Sequence, residues 1–232
     1  MEIVAEIGQN HNGDLNLAFE LIHAAKECGA DAAKFQLYDA RALFPKRNNE
    51  WYEYNCKTEL SREQFSLLDK ECKMVGIEFL VSVFDVERVS WAEEVGVQRY
   101  KVASRSINDK ELLQAVTRTG KPMIVSLGMW NGAQFPVIEG AKKVDFLYCI
   151  SKYPAPLSDV KLASVDFNKY SGFSDHTVGI SAALVSFSRG ARILEKHFTL
   201  DKSMYGPDHM CSITPDELTE LHKFRADIAQ CL

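Results

Sequence analysis

Eight short apolar segments, each followed by a segment with helical spacing, constrain the fold of this chain most. The first, 2–8, precedes a helical pattern over 15–29, and the last, 192–200, precedes one over 214–230. Alternation with short connections predicts a parallel sheet, because parallel strands need a crossover between them. Eight units in 232 residues favour a single-domain TIM (β/α)8 barrel over 1–232, with a doubly wound open sheet as the alternative. The predicted strands are 2–8, 32–38, 77–84, 99–104, 122–128, 145–151, 172–177 and 192–200.

Two helices and one connection are less regular in sequence. Helical spacing predicts a weak helix within 131–143 and another helix over 161–170. Residues 39–60 form a long connection that contains Trp51 and two tyrosines. A connection of this length in a compact domain is typical of a binding loop or lid, and aromatic packing onto the barrel rim is the alternative.

Composition excludes several classes of protein. The chain is 46% hydrophobic and 25% charged with a net charge of −5, so it lacks the basic surface of a nucleic-acid-binding protein. No apolar run approaches the roughly 18–20 residues of a membrane helix, and the N-terminus lacks the pattern of a signal peptide. Six scattered cysteines without a Cys-x-x-Cys motif favour reduced thiols over disulfides. We therefore expect a cytoplasmic protein that binds neither membranes nor nucleic acid.

Polar residues lie near the C-terminal ends of the predicted strands, where TIM barrels carry their active sites. Residues two apart on a strand share a face, as Lys34 and Gln36 do, and as Ser174 and His176 do. Burying so many polar groups is costly unless they contact a ligand or one another, so we predict a ligand site there. The residues concerned are Glu6, Lys34, Gln36, Ser82, Lys101, Ser104, Ser126, Ser151, Tyr153, Ser174, His176, Glu195 and His197.

Several of these residues have more than one interpretation. Lys101 and Ser104 are three apart, so both reach the site only if the strand ends or kinks near Ala103. His176 and His197 are as consistent with ordinary core or rim histidines as with metal ligands. An inward lysine can pair with a rim carboxylate or act as a Schiff-base nucleophile. Two lysines with several serines favour an oxyanion such as phosphate or carboxylate.

A series of motifs then points to a family. In order along the chain they are AEIGQNHNGD, GADAAKFQ, YKVAS, KPMIVSLGM, YPAP, GFSDHTVGI, EKHFTLD and GPDH. In these motifs the chain resembles the N-acetylneuraminate (sialic acid) synthase family over nearly its whole length. The resemblance implies a TIM barrel that condenses phosphoenolpyruvate with an acylamino-hexose aldehyde, such as N-acetylmannosamine. The products would be a nine-carbon 2-keto sugar acid and phosphate.

The resemblance also implies roles for individual residues. His176 and His197 match ligands of a divalent metal, usually manganese, and Glu6 would reach that metal directly or through water. Magnesium, cobalt, iron or zinc also suit such ligands. Lys101 would act in catalysis by neutralising the negative charge of the phosphate and carboxylate of the substrate. Matches to the phosphoenolpyruvate site are Lys34, Ser82, Lys101, Ser104, Ser126 and Ser174, and matches to the sugar side are Gln36, Ser151, Tyr153 and Asp208.

The chain departs from the family pattern at the acceptor side. Arg105 and Ser106 stand where the family has a glycine and an acidic residue, Leu127 replaces a threonine, and Ser151 replaces an asparagine. The C-terminal antifreeze-like domain, which in the family contributes an arginine to a partner's sugar site, is not in this sequence. We therefore expect a homo-oligomer, or a separate chain that supplies the missing domain. The donor side is expected to be retained and the acceptor changed.

Three functional hypotheses follow. The first is a metal-dependent, phosphoenolpyruvate-consuming synthase of sialic-acid-like sugar acids. The second is a Schiff-base aldolase or lyase that uses Lys34 or Lys101. The third is a non-catalytic barrel that partners a complete synthase.

Overall fold

The computed structural model describes residues 1–231 as a barrel of eight parallel strands. Each strand pairs with the next in sequence, and the first pairs with the eighth, which closes the sheet. The predicted TIM barrel is confirmed, and the open doubly wound sheet is wrong. The strands are β1 Glu2–Gly8, β2 Ala32–Leu37, β3 Glu78–Val83, β4 Tyr100–Val102, β5 Met123–Ser126, β6 Val144–Cys149, β7 Gly172–Asp175 and β8 Ile193–His197.

Helices of very different length follow the strands. Within residues 1–231, no helix combines the length and the hydropathy needed to span a membrane. The long connection over 39–60 contains two short helices rather than an irregular loop. The helices are α1 Leu15–Glu27, α2 Ala40–Leu43, α3 Tyr52–Lys57, α4 Arg62–Val75, α5 Val86–Val95, α6 Lys110–Arg118, α7 Leu157–Val160, α8 Ser181–Ser188 and α9 Pro215–Cys231.

Two predicted helices are wrong. Residues 131–143 contain no helix, because Pro136 cannot donate a backbone hydrogen bond and Gly140 has a positive φ of 80°. Residues 161–170 contain no α-helix, only a 3-10 turn over Leu162–Ser164 and a second turn after Asp166. There the Asp166 carboxylate accepts from a nearby backbone N–H, which competes with helix formation.

The strands separate two apolar layers. Residues of one parity, such as Phe35 and Leu194, are fully buried against the helices outside the barrel. Residues of the other parity form an inner apolar layer inside the barrel, made of Val4, Ala32, Leu80, Ile124, Leu147 and Ile193.

Ion pairs close the N-terminal end of the barrel. The guanidinium of Arg99, which lies just before β4, pairs with Glu2 of β1 and with Glu78 of β3. These residues have the same parity as the inner apolar layer and precede it on their strands. The C-terminal ends of β1, β3 and β4, which carry the predicted site residues, thus lie on the opposite side of that layer from the Arg99 ion pairs.

Strands β7 and β8 approach unusually closely. A Cβ atom at Gly172 would overlap the carbonyl oxygen of Ile193, so only glycine fits there. Near their C-terminal ends, Lys196 Nζ lies 2.9 Å from Oδ2 of Asp175, and both side chains are fully buried. Lys196 also donates to the carbonyl of Thr177 at 2.7 Å. These contacts fix the strand ends from which the two predicted metal ligands extend.

Candidate active site

The predicted side chains meet at the C-terminal end of the barrel, in a polar pocket and an adjoining cleft. The pocket has a volume of about 50 Å³ and the cleft about 570 Å³, and Gln36, Tyr153 and His197 line both. Every site residue predicted from sequence lines one of these cavities. The pocket contains Glu6, Lys34, Gln36, Ser82, Lys101, Ser104, Ser126, Tyr153, Ser174, His176 and His197, and the cleft adds Ser151 and Asp208.

Glu195 joins the two lysines in the polar pocket. Lys34 Nζ lies 2.7 Å from Oε2 of Glu6 and 3.5 Å from Oε2 of Glu195. Lys101 Nζ lies 3.6 Å from Oε1 of Glu195, which also accepts a hydrogen bond from Ser174 at 2.9 Å. Two buried ammonium groups are therefore balanced by two buried carboxylates, as burial of charge requires.

The serines of β3 and β5 complete the surroundings of the lysines. Lys34 donates to Oγ of Ser82 at 3.0 Å, and Lys101 donates to Oγ of Ser126 at 2.8 Å. All four side chains are buried. Ammonium and hydroxyl groups arranged in this way match the oxygen atoms of a phosphate or carboxylate.

The pKa values in the pocket reflect both burial and charge pairing. Burial alone would raise the pKa of Glu195, but Lys101 and Lys34 outweigh it and lower that pKa to about 2. Burial raises the pKa of Glu6, although Lys34 opposes the shift, and burial lowers the pKa of Lys101. Burial would lower the pKa of Lys34, yet Glu195 and Glu6 raise it. Lys34 is thus held as a cation and Glu195 as an anion, whereas Glu6 is the carboxylate most readily protonated.

The end of β4 places Lys101 and Ser104 in the same pocket. The strand stops at Val102, and a 3-10 turn over Ser104–Ser106 follows it. The turn places the Ser104 side chain on the same side of the strand as Lys101, in the pocket. There, Oγ of Ser104 accepts a hydrogen bond from the backbone N–H of Gly128 at 3.0 Å. The strand end near Ala103 that the sequence spacing required is confirmed.

The two histidines lie side by side at the border of pocket and cleft. Their ring centroids are 5.6 Å apart, and the ring of Tyr153 lies 4.0 Å from that of His176. Nδ1 of His176 lies 2.8 Å from the carbonyl of Ile150. With its proton on Nδ1, His176 donates to this oxygen and keeps a lone pair on Nε2, as a metal-ligating histidine does.

His197 is a buried neutral imidazole. Burial lowers its pKa to about 4, and its Nδ1 is buried without a hydrogen-bond partner, 3.8 Å from Oδ2 of Asp208. An imidazole without its proton is the form that binds a metal.

The two histidines can supply two ligands of a metal ion, whereas the Glu6 carboxylate contacts other residues. Among residues 1–231, no three His, Cys, Asp or Glu side chains come together as a ready-made metal site. Glu6 pairs with Lys34 and accepts a hydrogen bond from Gln36 at 2.8 Å. A β-bulge after Glu6 ends at Gly8, whose missing Cβ leaves room for this contact. Direct ligation by Glu6 would therefore require it to leave Lys34, whereas contact through water would not.

Loops form the cleft, and Arg105 is their distinctive residue. Its guanidinium donates to the carbonyl of Leu43 at 3.2 Å and lies 5.1 Å from the ring centre of Phe44. Ser106 is buried and does not line the cleft, so only Arg105 of the two replaced positions faces it. Ser151 lies beyond the end of β6 rather than on it.

Glu195 is the site residue whose role the sequence did not reveal. It was predicted to point inward, two residues before His197, but its charge partners could not be known. Both lysines come from strands distant in sequence, and only closure of the barrel brings them to Glu195.

Comparisons with known proteins identify relatives of the whole chain. The sequence profile of the NeuB family matches residues 21–232. The chain is 41% identical over 230 residues to an uncharacterized protein of Methanocaldococcus jannaschii, covering 94% of this chain and 68% of the relative. It is 38% identical to the N,N'-diacetyllegionaminic acid synthase of Legionella pneumophila, covering 94% of this chain and 69% of the relative.

A crystal structure gives the same result. The N-acetylneuraminic acid synthetase of Leptospira borgpetersenii, in complex with citrate, superposes with a TM-score of 0.91 at 33% identity. The match covers 99% of this chain and 84% of the synthetase. The barrel and the order of its elements are therefore shared with a sugar-acid synthase.

Proposed function

The chain belongs to the NeuB family, and on that premise we propose that it condenses phosphoenolpyruvate with an open-chain acylamino-hexose. The products are a sialic-acid-like 2-keto sugar acid and phosphate. The observation that carries the proposal is the pair of buried lysines among serine hydroxyls, directly beside two histidines at the foot of an open cleft.

The polar pocket suits the donor. Lys34 and Lys101 supply positive charge for the phosphate and carboxylate, and Ser82, Ser126 and Ser174 supply hydroxyls that orient them. The ligand takes the place of the carboxylates that pair with the lysines in the free protein. Binding therefore requires Glu6 and Glu195 to give up these pairs, while Ser82 and Ser126 keep their hydrogen bonds to the lysines.

The cleft suits the sugar, with its aldehyde at the histidines. His176 and His197 would hold a divalent metal, manganese in this proposal, which when bound polarises the aldehyde oxygen. The hydrogen bond from His176 to Ile150 keeps the imidazole in the ligating tautomer. Tyr153 packs on His176 and restricts the rotation of its ring.

Glu6 is positioned to move a proton. C3 of phosphoenolpyruvate forms the new carbon–carbon bond with the aldehyde carbon while the carbon–oxygen π bond breaks. The aldehyde oxygen takes up a proton from solvent and becomes a hydroxyl, and positive charge develops at C2. Water adds to C2 and gives a proton to Glu6, whose burial raises its pKa and makes it a better base. The C2–O bond to phosphate then breaks, the remaining hydroxyl loses its proton, and the ketone forms.

Consumption of phosphoenolpyruvate and formation of a 2-keto acid test the proposal with manganese and a panel of acylamino-hexoses. Replacing His176 by alanine is expected to lower the rate at least about 100-fold, whereas the control His23→Ala, at an exposed position on α1, leaves it unchanged. An isotope label in the bridging oxygen should appear in phosphate. Full activity in His176→Ala, or no product with any acceptor, would contradict the proposal.

Trapping experiments separate the two other hypotheses. Borohydride with pyruvate should give no adduct on Lys34, which Glu195 and Glu6 hold as a cation, or on Lys101, whose Nζ donates to Ser126 and faces Glu195. An adduct would instead establish the Schiff-base lyase. Binding of phosphoenolpyruvate without turnover would favour the non-catalytic barrel. The homo-oligomer, the separate chain and the cytoplasmic location stay predictions.

A further inference from the structure

The segment between β8 and α9 brings Asp208 to the cleft. Among the residues of 1–231 that line the cleft, Asp208 alone has a carboxylate. Its Oδ2 lies 3.8 Å from Nδ1 of His197, beyond hydrogen-bond distance, and within the described residues its carboxylate oxygens accept no hydrogen bond. A carboxylate in this state, beside the histidines, can accept hydrogen bonds from the hydroxyl or N–H groups of a bound sugar.

His209, the next residue, is fully buried and has a partner on each ring nitrogen. Nδ1 lies 2.7 Å from Oγ1 of Thr199, and Nε2 lies 3.2 Å from Oδ1 of Asn12. The amide oxygen of Asn12 can only accept, so Nε2 carries the proton and Nδ1 accepts from the Thr199 hydroxyl. Burial lowers the pKa of His209 to about 4, in agreement with a neutral ring.

The β1–α1 connection holds the same segment at a second point. Nδ2 of Asn10 donates to Oγ of Ser212 at 2.9 Å, and that hydroxyl donates to the backbone carbonyl of Asp208 at 2.7 Å. Asn10 and Ser212 are both buried. The two asparagines of the sequence NHN thus hold the dipeptide Asp208–His209, although neither of them lines the pocket or the cleft.

Three connecting segments meet at the His209 ring. Tyr54 of α3 donates to the same Asn12 oxygen at 2.6 Å, which ties the 39–60 connection to the other two. Gly206 passes so close that a Cβ atom there would lie 2.8 Å from Cδ2 of His209. The Asp208 side chain consequently extends from a backbone that is fixed before and after it.

From these contacts we propose that His209 is a positioning residue, which holds the Asp208 carboxylate where it accepts hydrogen bonds from the acceptor sugar. The inference rests on the proposed function, because it assumes that the sugar binds in the cleft. His209 does not line the cleft and acts only through its neighbour. A carboxylate that is already in place binds the sugar at a smaller entropic cost than a mobile one.

Substitution of His209 tests this inference in the enzyme loaded with manganese. His209→Phe keeps a ring and removes both hydrogen bonds, whereas His209→Gln keeps an N–H group for Asn12. We expect KM for the acylamino-hexose to rise about 10- to 100-fold in the first variant and less in the second. KM for phosphoenolpyruvate should stay within about threefold in both. The control His222→Gln, at an exposed position on α9, should change neither value.

A double-mutant cycle shows whether His209 acts through Asp208. If it does, Asp208→Asn combined with His209→Phe should have the acceptor KM of Asp208→Asn alone, within about twofold. Thr199→Val removes only the hydroxyl partner of Nδ1 and takes the place of His209→Phe if that protein does not fold. An unchanged acceptor KM in the single variant, or a double variant that shows the product of the two single effects, would overturn the role of His209.

Binding of the acylamino-hexitol separates failure of this inference from failure of the proposed function, because the hexitol lacks the aldehyde and cannot react. Its affinity is measured by calorimetry in the presence of manganese and phosphoenolpyruvate, for wild type and for His209→Phe. Weaker binding to the variant, without turnover of any acylamino-hexose, would overturn the proposed reaction and retain the positioning role. Turnover with equal hexitol binding in both proteins would retain the reaction and overturn the positioning role.

Discussion

The polar pocket and the cleft are built by different parts of the chain. The pocket is formed mainly by side chains on strands, whose positions are fixed by the barrel and by mutual ion pairs. The cleft is lined by Phe44, Arg105 and Met129, which follow the strands in connecting segments. Strand positions tolerate little change, whereas connecting segments vary freely on a rigid scaffold. For the proposed reaction, this difference predicts a constant donor chemistry beneath an adaptable acceptor site.

The largest effect is expected from Gly172→Ala, which tests how far the stability of the barrel that carries the pocket depends on the close approach of β7 and β8. The added methyl group would overlap the carbonyl oxygen of Ile193. We expect a loss of more than about 4 kcal/mol in the free energy of unfolding, measured by urea denaturation. Gly96→Ala is the control, because space is open there and only its positive φ is strained. Equal losses in both variants would show that the strand approach is unimportant.

Lys101→Met tests whether the pocket acts on the donor alone. Removing the ammonium group takes away a buried cation beside Ser126 and leaves Glu195 with fewer partners. We expect kcat/KM for phosphoenolpyruvate to fall about 100- to 1,000-fold. Acceptor KM should stay within about threefold. A loss that falls instead on acceptor KM would remove the division between pocket and cleft.

Acidification tests the stability of the β1–α1 connection, which includes Gln9 of the cleft lining. Burial lowers the pKa of His11 to about 4, below its ordinary value near 6.5. Below pH 6.5 His11 binds a proton in the unfolded chain but not in the folded chain. The free energy of unfolding therefore decreases as the pH falls towards 4. The share of His11 in this decrease is about 3 kcal/mol at most.

Urea denaturation at pH 7 and pH 5 measures this dependence. His11→Phe should reduce it only in part, because burial also lowers the pKa values of His197 and His209 to about 4. His23→Gln, at an exposed position on α1, should retain it in full. A His11→Phe protein with the wild-type pH dependence would show that other groups cause the loss.

Ser151→Ala should have the smallest effect on kinetics, and that effect should be confined to the acceptor bound in the cleft. The variant loses one hydroxyl from the cleft lining, worth about 1 kcal/mol when it binds a ligand. Steady-state kinetics should show a three- to tenfold change in kcat/KM for the acceptor, about the size this energy gives. Values for phosphoenolpyruvate should not change, and an equal change for both substrates would contradict the separation.

The pocket was predictable from sequence because strand geometry has a fixed period of two residues. Once eight strands were recognised, parity alone pointed Lys34, His176 and His197 inward. The contact between Glu195 and both lysines could not be predicted, since it depends on barrel closure. The missing helix after β5 and the contact between Arg105 and Phe44 depend on local turn chemistry and on packing between distant segments.

The ion pairs of Arg99 and the inner apolar layer close the barrel below the polar pocket. In the part of the chain that the structure describes, small molecules therefore reach the pocket through the cleft. For the proposed reaction this imposes a sequence of events. Phosphoenolpyruvate must arrive before the sugar covers it, and phosphate can depart only after the sugar acid has left. Steady-state kinetics should consequently be ordered, with phosphate competing against phosphoenolpyruvate for the free enzyme.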